Sequence, residues 1–331
     1  MINQYKCMLV SEDDKGNFTR EIVTRSLDEL PKHDVLIKVK YSSLNYKDAL
    51  SASGNKGVTR VYPHTPGIDA AGIVVESSHE NIKIGDEVIV TGYDLGMNTP
   101  GGFSEYISVP ATWIIKLPKN LSLRESMMYG TAGFTAALSI YKLIASGIKP
   151  SDGDILVTGA TGGVGSVAVS ILGKLGYDVI AATGKPEAKD MLIQLGAKDI
   201  VLRDALNDQS KKMLLKGQWA GVIDTVGGHI LETAIKSTQY GGCVTCCGNV
   251  ASHELSTTVY PFIIRGISLL GIDSVQCPMN LRKEVWEKLS GIWKSEYQID
   301  HVEEISLMSL SHKIDQMLVG KSKGRIIVKI D

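Results

Sequence analysis

Surplus charge of either sign is missing from this chain. Its 35 Lys and Arg stand against 36 Asp and Glu, a formal net charge of −1. No long-range field therefore draws it to nucleic acid or to anionic lipid, although a local basic pocket for a phosphorylated ligand is still allowed. Long apolar runs are missing too. None approaches the ~18 residues that would suggest a membrane span. The N-terminal MINQYKCMLV has no basic segment leading into an apolar core, so no signal peptide is read there. Cysteine is scarce and badly placed for disulfides: Cys7, Cys243, Cys246, Cys247 and Cys277 are odd in number and three are bunched. A reducing cytoplasm is the expected compartment. Cys243 and Cys246 form a C-x-x-C string, but within GGCVTCCG it reads as a short buried strand of small residues. Internal repeats and low-complexity segments are absent. These absences leave a small molecule as the expected partner, with no nucleic acid and no membrane.

What is present is a globular composition in 331 residues, a length that predicts two domains. The first third reads as short strands and turns: Val35 to Ser43, Gly67 to Glu76, Lys83 to Val90 and Gly101 to Pro110. Such spacing suits a small barrel-like β domain. The character changes near Ser122. Strands are then expected at Asp154 to Thr158, Asp178 to Thr183, Ile200 to Arg203, Ala220 to Val226 and Cys243 to Gly248, with helices over Val164 to Leu175 and Glu187 to Leu195. Apolar strands separated by helices imply a parallel, doubly wound α/β sheet. A helical stretch over Met279 to Trp293 and a last strand, Arg325 to Ile330, close the chain. That strand is expected to rejoin the first domain, which makes the α/β part an insertion.

The sharpest local signal is TGATGGVGSVAV, Thr158 to Val169. A strand runs into Gly159, Gly162, Gly163 and Gly165 and then into a helix. Glycines let the backbone turn tightly and approach a pyrophosphate, and the helix N-terminus offers free N–H groups and partial positive charge. Strand, glycines, helix and second strand come in the order a dinucleotide turn requires. The second strand separates the cofactors. NAD-specific folds place an Asp or Glu about 20 residues beyond the turn, on the ribose hydroxyls. Here the strand ends in Ala182, Thr183, Gly184 and Lys185, with no carboxylate. A hydroxyl, a close backbone and an ammonium suit a 2′-phosphate instead, and Arg203 at the end of the next strand can reach the same group. The cofactor expected is NADPH.

At this point the chain resembles a medium-chain dehydrogenase/reductase over essentially its whole length. The resemblance is carried by the GATGGVG turn, GDEV (Gly85 to Val88), GGFSEY (Gly101 to Tyr106) and IDTVGG (Ile223 to Gly228). More narrowly it resembles the bacterial acrylyl-CoA reductase and putative quinone oxidoreductase subfamily. SSLNYKDAL (Ser42 to Leu50), PGIDAAG (Pro66 to Gly72), GTAGFTA (Gly130 to Ala136), YGGCV (Tyr240 to Val244), PFIIRG (Pro261 to Gly266) and GIDSV (Gly271 to Val275) carry that likeness. It implies a Rossmann-type doubly wound parallel sheet inserted in a GroES-like β-barrel catalytic domain, divided as 1–124, 125–275 and 276–331. The zinc alcohol dehydrogenases of this superfamily hold a catalytic metal with Cys and His ligands and keep one position open. Where their first Cys stands this chain has Asn45, and where their Gly-His-Glu stands it has Gly67, Ile68 and Asp69. The cysteines of their structural zinc lobe are absent, and His64 has no partners. No metal is expected.

The chemistry left is hydride transfer from a dihydronicotinamide to an electron-poor carbon, with the protein supplying geometry and electrostatics. A conjugated enone or enoyl thioester fits, provided donors stabilise the oxyanion that develops at its carbonyl. By resemblance the Asn45-Tyr46-Lys47-Asp48 segment lies beside the nicotinamide. Tyr46 then either donates to the oxyanion or packs on the cofactor. Asn45 is a candidate amide donor, and Asp69 either orients a water or neighbouring cation or serves a structural hydrogen bond. Lys47 and Asp48 read as a surface ion pair. The resemblance puts Thr161, Gly162, Gly163 and Val164 at the pyrophosphate and Thr183, Gly184 and Lys185 at the adenosine phosphate. It adds Arg203, Asn249, Ile263 and Ser274 along the sheet's carboxyl edge, and Thr131 near the nicotinamide. An acyl-CoA tail needs cations. Lys56 and Arg60 in SASGNKGVTRVYP, and Lys321, Lys323 and Arg325 in KSKGR, are the candidates. Three functions stay open: an NADPH-dependent reductase of acrylyl-CoA, an NADPH:quinone or general enone reductase, and a non-catalytic NADPH-binding protein. A homodimer is expected, with Gly242 to Gly248 and Ile267 to Asp273 as candidate dyad strands.

Overall fold

The structure, a computed structural model, describes residues 3–295 and 301–330. The chain divides into two compact units: Met1–Thr131 with Val275–Ser290 and His301–Asp331, and Ala132–Ser274 with Gly291–Asp300. The first unit therefore runs a few residues past 124, to a break inside a helix.

The first unit begins with a hairpin that the strand pattern had not singled out. β1 (Gln4–Glu12) pairs antiparallel with β2 (Phe18–Ser26). Asp13 closes the turn, its carboxylate accepting from the N–H groups of Lys15 and Asn17. β3 (Val35–Leu44) leads into the short helix α1 (Tyr46–Ser51). β4 (Asp69–Ser77), β5 (Glu87–Thr91), β6 (Tyr106–Val109) and β7 (Ile114–Lys116) follow. On β3, Val35, Ile37 and Val39 point to one side with the period of two that a strand dictates. They meet Val74, Val88, Val90 and Ile107 in one core. Each such buried side chain stabilises the fold by roughly 1.5–3 kcal/mol. Next comes α2 (Leu123–Ala145), which breaks at Gly130 (φ 51°, ψ −154°).

The second unit is built by alternation: β8 (Ile155–Val157), α3 (Gly163–Lys174), β9 (Val179–Thr183), α4 (Lys189–Gln194), β10 (Asp199–Leu202), β11 (Trp219–Asp224), α5 (Gly228–Lys236), β12 (Thr238–Cys246), α6 (Tyr260–Arg265) and β13 (Ser268–Gly271). All adjacent strands are parallel, in the order β10-β9-β8-β11-β12-β13. That is the doubly wound order 3-2-1-4-5-6, whose reversal falls between β8 and β11 and opens a crevice at their carboxyl ends. β8 is buried along its whole length, as a central strand covered on both faces must be.

The chain returns through α7 (Met279–Ser290), β14 (Val302–Ser306), α8 (Leu310–Leu318) and β15 (Arg325–Lys329). β15 lies antiparallel to β3, with Ile326 opposite Leu44, and completes the first unit's sheet in the order β14-β15-β3-β4-β5-β7, β6 pairing with β3. The last strand thus rejoins the first unit. α7 stops at Ser290, short of Trp293, which belongs to the second unit. β12 lies between β11 and β13, so of the two candidate dyad strands only β13 lies at an edge of the sheet among the described residues. Among the described residues no helix is long and apolar enough to cross a membrane.

Candidate active site

In the second unit the glycine turn wraps the open end of β8. Gly159 has φ +60°, and a Cβ there would meet Thr225 Oγ1 at 2.3 Å. A Cβ on Gly165 would meet Gly159 O at 2.3 Å, so only glycine lets α3 start this close to the strand. Asp224, at the end of β11, locks the turn from beneath. Its Oδ1 accepts from Thr158 Oγ1 at 2.7 Å and its Oδ2 from the Gly227 N–H at 2.9 Å. Burial pushes the Asp224 carboxyl above its usual range. The IDTVGG string is therefore the support of the turn.

Beside the turn lies a cavity of about 300 Å³ lined by Thr158, Gly159, Thr161, Ala182, Thr183, Gly184, Lys185, Arg203, Leu206, Val226, Ile230, Val250 and Ala251. Five residues expected at the cofactor line it together: Thr161, Thr183, Gly184, Lys185 and Arg203. Thr183 is buried, its Oγ1 accepting from the Lys185 N–H at 3.0 Å. A Cβ on Gly184 would meet Arg203 Cζ at 3.2 Å, so the guanidinium lies along the glycine backbone. Among the described lining residues two are cations and none is a carboxylate. Gly162 and the half-buried Gly163 and Val164 form the start of α3. Asn249, Ile263 and Ser274 do not line this cavity. Asn249 is exposed with its backbone against Gly227, Ile263 is exposed on α6, and Ser274 follows β13. The apolar wall comes from Leu206, Ile230, Val250 and Ala251, which no local motif marks.

In the first unit a second constellation is buried. Asp69 opens β4 and is wholly inaccessible. Its Oδ2 accepts from Ser43 Oγ at 2.5 Å, Asn45 Nδ2 at 2.8 Å and the Thr131 N–H at 2.9 Å, and its Oδ1 accepts from Thr131 Oγ1 at 2.6 Å. The break at Gly130 frees that N–H. A Cβ at Gly130 would meet both Asp69 Oδ2 and Ser43 Oγ at 2.5 Å. Asn45, Asp69 and Thr131 are thus brought together, in the interior.

Two expectations are corrected here. Arg325 is not a surface cation for a substrate tail: it is 4% exposed. Its Nε donates to Met128 O at 2.9 Å, Nη1 to Asn45 Oδ1 at 3.1 Å and Nη2 to Ser43 Oγ at 2.8 Å. As the first residue of β15 it turns inward with the strand, while Lys321 and Lys323 stay exposed. Burial lowers the Arg325 pKa, against the pull of Asp69 and Asp48. Nor is Asp48 half of a surface ion pair. It is fully buried, Oδ2 accepting from the Asn45 N–H at 2.8 Å and Oδ1 from the Ile68 N–H at 2.8 Å. Burial first, and then the Asp69 charge, raise its carboxyl pKa to about 7. Ser43, Asp48 and Gly130 were missed as site residues, although polar residues at an apolar strand's end and a glycine before the Thr131 turn were signals available for them.

Tyr46 is the first residue of α1 and is 45% exposed. Its hydroxyl has no hydrogen-bond partner among the described residues. Lys56 is engaged: Nζ lies 2.5 Å from Glu12 Oε2 and 4.7 Å from the Tyr62 ring centroid. Arg60 is exposed, its N–H donating to Asn98 Oδ1 at 3.4 Å. The donor set around Asn45 and Asp69 does not fit zinc. Both Asp69 oxygens accept from protein donors, and the cation bonded to Asn45 is a guanidinium. Among the described residues no three His, Cys, Asp or Glu side chains are grouped to hold a metal.

A 3-2-1-4-5-6 sheet with a dinucleotide-type turn, inserted in a β-rich unit, defines a class, and the comparisons agree with it. A family described as "Alcohol dehydrogenase GroES-like domain" matches residues 31–119, and one described as "Zinc-binding dehydrogenase" matches 163–291. The chain belongs to the medium-chain dehydrogenase/reductase family of oxidoreductases. Within it, the chain is 49% identical to the putative quinone oxidoreductase YhfP of Bacillus subtilis, over 97% of this chain and 98% of that one. It is 41% identical to the acrylyl-CoA reductase AcuI of Ruegeria pomeroyi, over 99% of both. Among solved structures it superposes with a TM-score of 0.96 on the yhdH oxidoreductase from Salmonella enterica in complex with NADP, at 40% identity over 98% of this chain and 100% of that one. YhfP with NAD bound superposes with a TM-score of 0.96 at 47% identity, over 99% of both chains.

Proposed function

We propose that this chain is an NADPH-dependent reductase that adds hydride to the β-carbon of an α,β-unsaturated carbonyl compound, with acrylyl-CoA to propionyl-CoA as the reaction. One observation carries the cofactor choice: Thr183, Gly184, Lys185 and Arg203 form one wall of a cavity with two cations and no carboxylate among its described lining. A ribose 2′-phosphate finds charge-assisted donors there, whereas a free 2′-hydroxyl would lack its usual acidic partner. When bound, the dihydronicotinamide supplies the hydride. The α3 N-terminus with Thr161, Gly162, Gly163 and Val164 receives the pyrophosphate. Tyr46, with an exposed and unpaired hydroxyl, donates to the carbonyl oxygen as charge builds on it. A proton from solvent or from Tyr46 then reaches the α-carbon, so that one hydride and one proton have been added across the double bond.

A second reading is an NADPH:quinone or general enone reductase. It is favoured by the pairing of Lys56 with Glu12, which leaves Arg60 as the cation of that loop with no ion-pair partner among the described residues. NADPH oxidation with acrylyl-CoA, small quinones and simple enones separates the readings. Turnover of the thioester above the others supports the first, quinone or enone turnover alone the second, and binding without turnover of any would make the chain a non-catalytic NADPH binder. We also propose a cytoplasmic homodimer pairing through the free edge of β13. Sedimentation showing only monomer at micromolar concentration would end the dimer.

A further inference from the structure

We infer that Asp48 is a positioning residue for Tyr46, acting as one arm of a buried relay of Asp48, Asn45, Asp69, Ser43 and Arg325. This rests on the reading above in which Tyr46 meets the substrate. The relay is continuous. Arg325 donates to Ser43 Oγ and to Asn45 Oδ1. Ser43 Oγ in turn donates to Asp69 Oδ2, and Asn45 Nδ2 donates to Asp69 Oδ2 and, at 3.2 Å, to Asp48 Oδ2. A guanidinium is thus joined to two carboxylates through two neutral side chains, with no water needed to close the chain.

The geometry says what Asp48 holds. Its Oδ2 takes both the backbone N–H and the side-chain amide of Asn45, the residue that precedes Tyr46. Its Oδ1 takes the Ile68 N–H, which ties the start of α1 to the end of the segment before β4. α1 has only six residues, too few to hold its own first turn by propagation. The direction of Tyr46 is therefore set by what fixes Asn45, and that is Asp48 on one side and Arg325 with Asp69 on the other. The charged groups facing Asp48 in this relay are Asp69 from β4 and Arg325 from β15. Two carboxylates against one guanidinium leave the relay one proton away from neutrality, in keeping with the raised Asp48 carboxyl.

Asp48→Asn separates position from packing. The amide keeps the shape and can still accept from Ile68, but its NH₂ then faces two donors of Asn45. 3-Fluorotyrosine at position 46, observed by ¹⁹F NMR in the ligand-free protein, is the direct readout. Asp48→Asn is expected to shift and broaden that resonance, and an unmoved resonance overturns the inference whatever the activity. Kinetics add a cycle. Asp48→Asn is expected to lower kcat roughly tenfold while the KM for NADPH stays within about twofold, and Asp48→Asn with Tyr46→Phe is expected to be no slower than Tyr46→Phe alone. Fully additive losses overturn the inference. A Tyr46→Phe variant of unchanged kcat instead sinks the assigned role of Tyr46, and the fluorine resonance still decides whether Asp48 positions it. If Asp48→Asn does not fold, Ser43→Ala removes one of the two links between Arg325 and Asp69 and leaves the other, through Asn45, with Asp48 intact. It is expected to move the same resonance by a smaller amount, and no movement overturns the inference.

Discussion

The two constellations of this molecule differ in how they treat charge. In the second unit Lys185 is half-buried and Arg203 exposed at the wall of a cavity. In the first unit Arg325, Asp48 and Asp69 are buried and spend their hydrogen bonds on one another's neighbours. One set of charges stands at a cavity wall, whereas the other is enclosed in the interior beside α1. Exposed charges are screened and cost little to remove, while buried ones are dear to strand.

The largest effect should come from stranding the buried set. Arg325→Met leaves Asp69 and Asp48 without their cation and should destabilise the protein by about 3–5 kcal/mol. Urea denaturation measures it, and a loss below about 1 kcal/mol would erase the contrast between the two regions. The same buried set has a pH signature. Folding raises the Asp48 carboxyl to about 7, from about 3.9 in an unfolded chain. Between those values the folded state holds a proton that the unfolded state has released, so the stability Asp48 contributes is full below about pH 4 and is lost as pH rises through about 7. Subtracting the thermal stability profile of Asp48→Asn from that of the native protein isolates this fall from His64, whose pKa burial lowers and which acts in the opposite sense. A flat difference between about pH 5 and pH 8 would remove Asp48 as its source.

The open set should give a smaller and selective effect. Lys185→Ala is expected to weaken NADPH binding by about 1–3 kcal/mol, the range of a charged hydrogen bond, and to leave NADH binding nearly unchanged. Equal losses for both cofactors in calorimetry would detach Lys185 from the 2′-phosphate. Smallest is the loop before β4. The Lys56–Glu12 pair is half-exposed, so Lys56→Ala should cost under about 1 kcal/mol of stability. Arg60→Ala should raise the KM for an acyl-CoA a few-fold, with weaker salt dependence, and spare a small enone. If both substrates suffer alike, the loop supports the fold and not a substrate tail.

The alternation from Ile155 to Gly271, the glycine turn, the missing acid after Thr183 and the return of the last strand were all legible in the sequence. Each is written in contiguous residues or in simple periodicity: β8 is an unbroken apolar run, and α3 begins where the glycines end. The pairing of Thr183, Gly184 and Lys185 with Arg203 was legible as well, because parallel neighbours β9 and β10 end on the same edge of the sheet. By contrast, the hairpin of β1 and β2 alternates too weakly to announce itself, since only four residues of β1 and none of β2 are fully buried.

What the sequence by itself determined was therefore the class of fold, the glycine turn and the positive charge at the wall of the cavity beside it, all set by neighbours along the chain. Only the tertiary structure decided the fate of Arg325, Asp48 and Asp69. Arg325 follows two exposed lysines in KSKGR and reads as one more surface cation. Pairing of β15 with β3 carries it inward to Ser43 and Asn45. The physical reason is that burial of a charge depends on which distant strands meet, and Arg325 and Ser43 lie 282 positions apart. No local pattern records that meeting. It is the hydrophobic register of β3 and β15 that makes it, and the polar residues at the end of those strands are carried along.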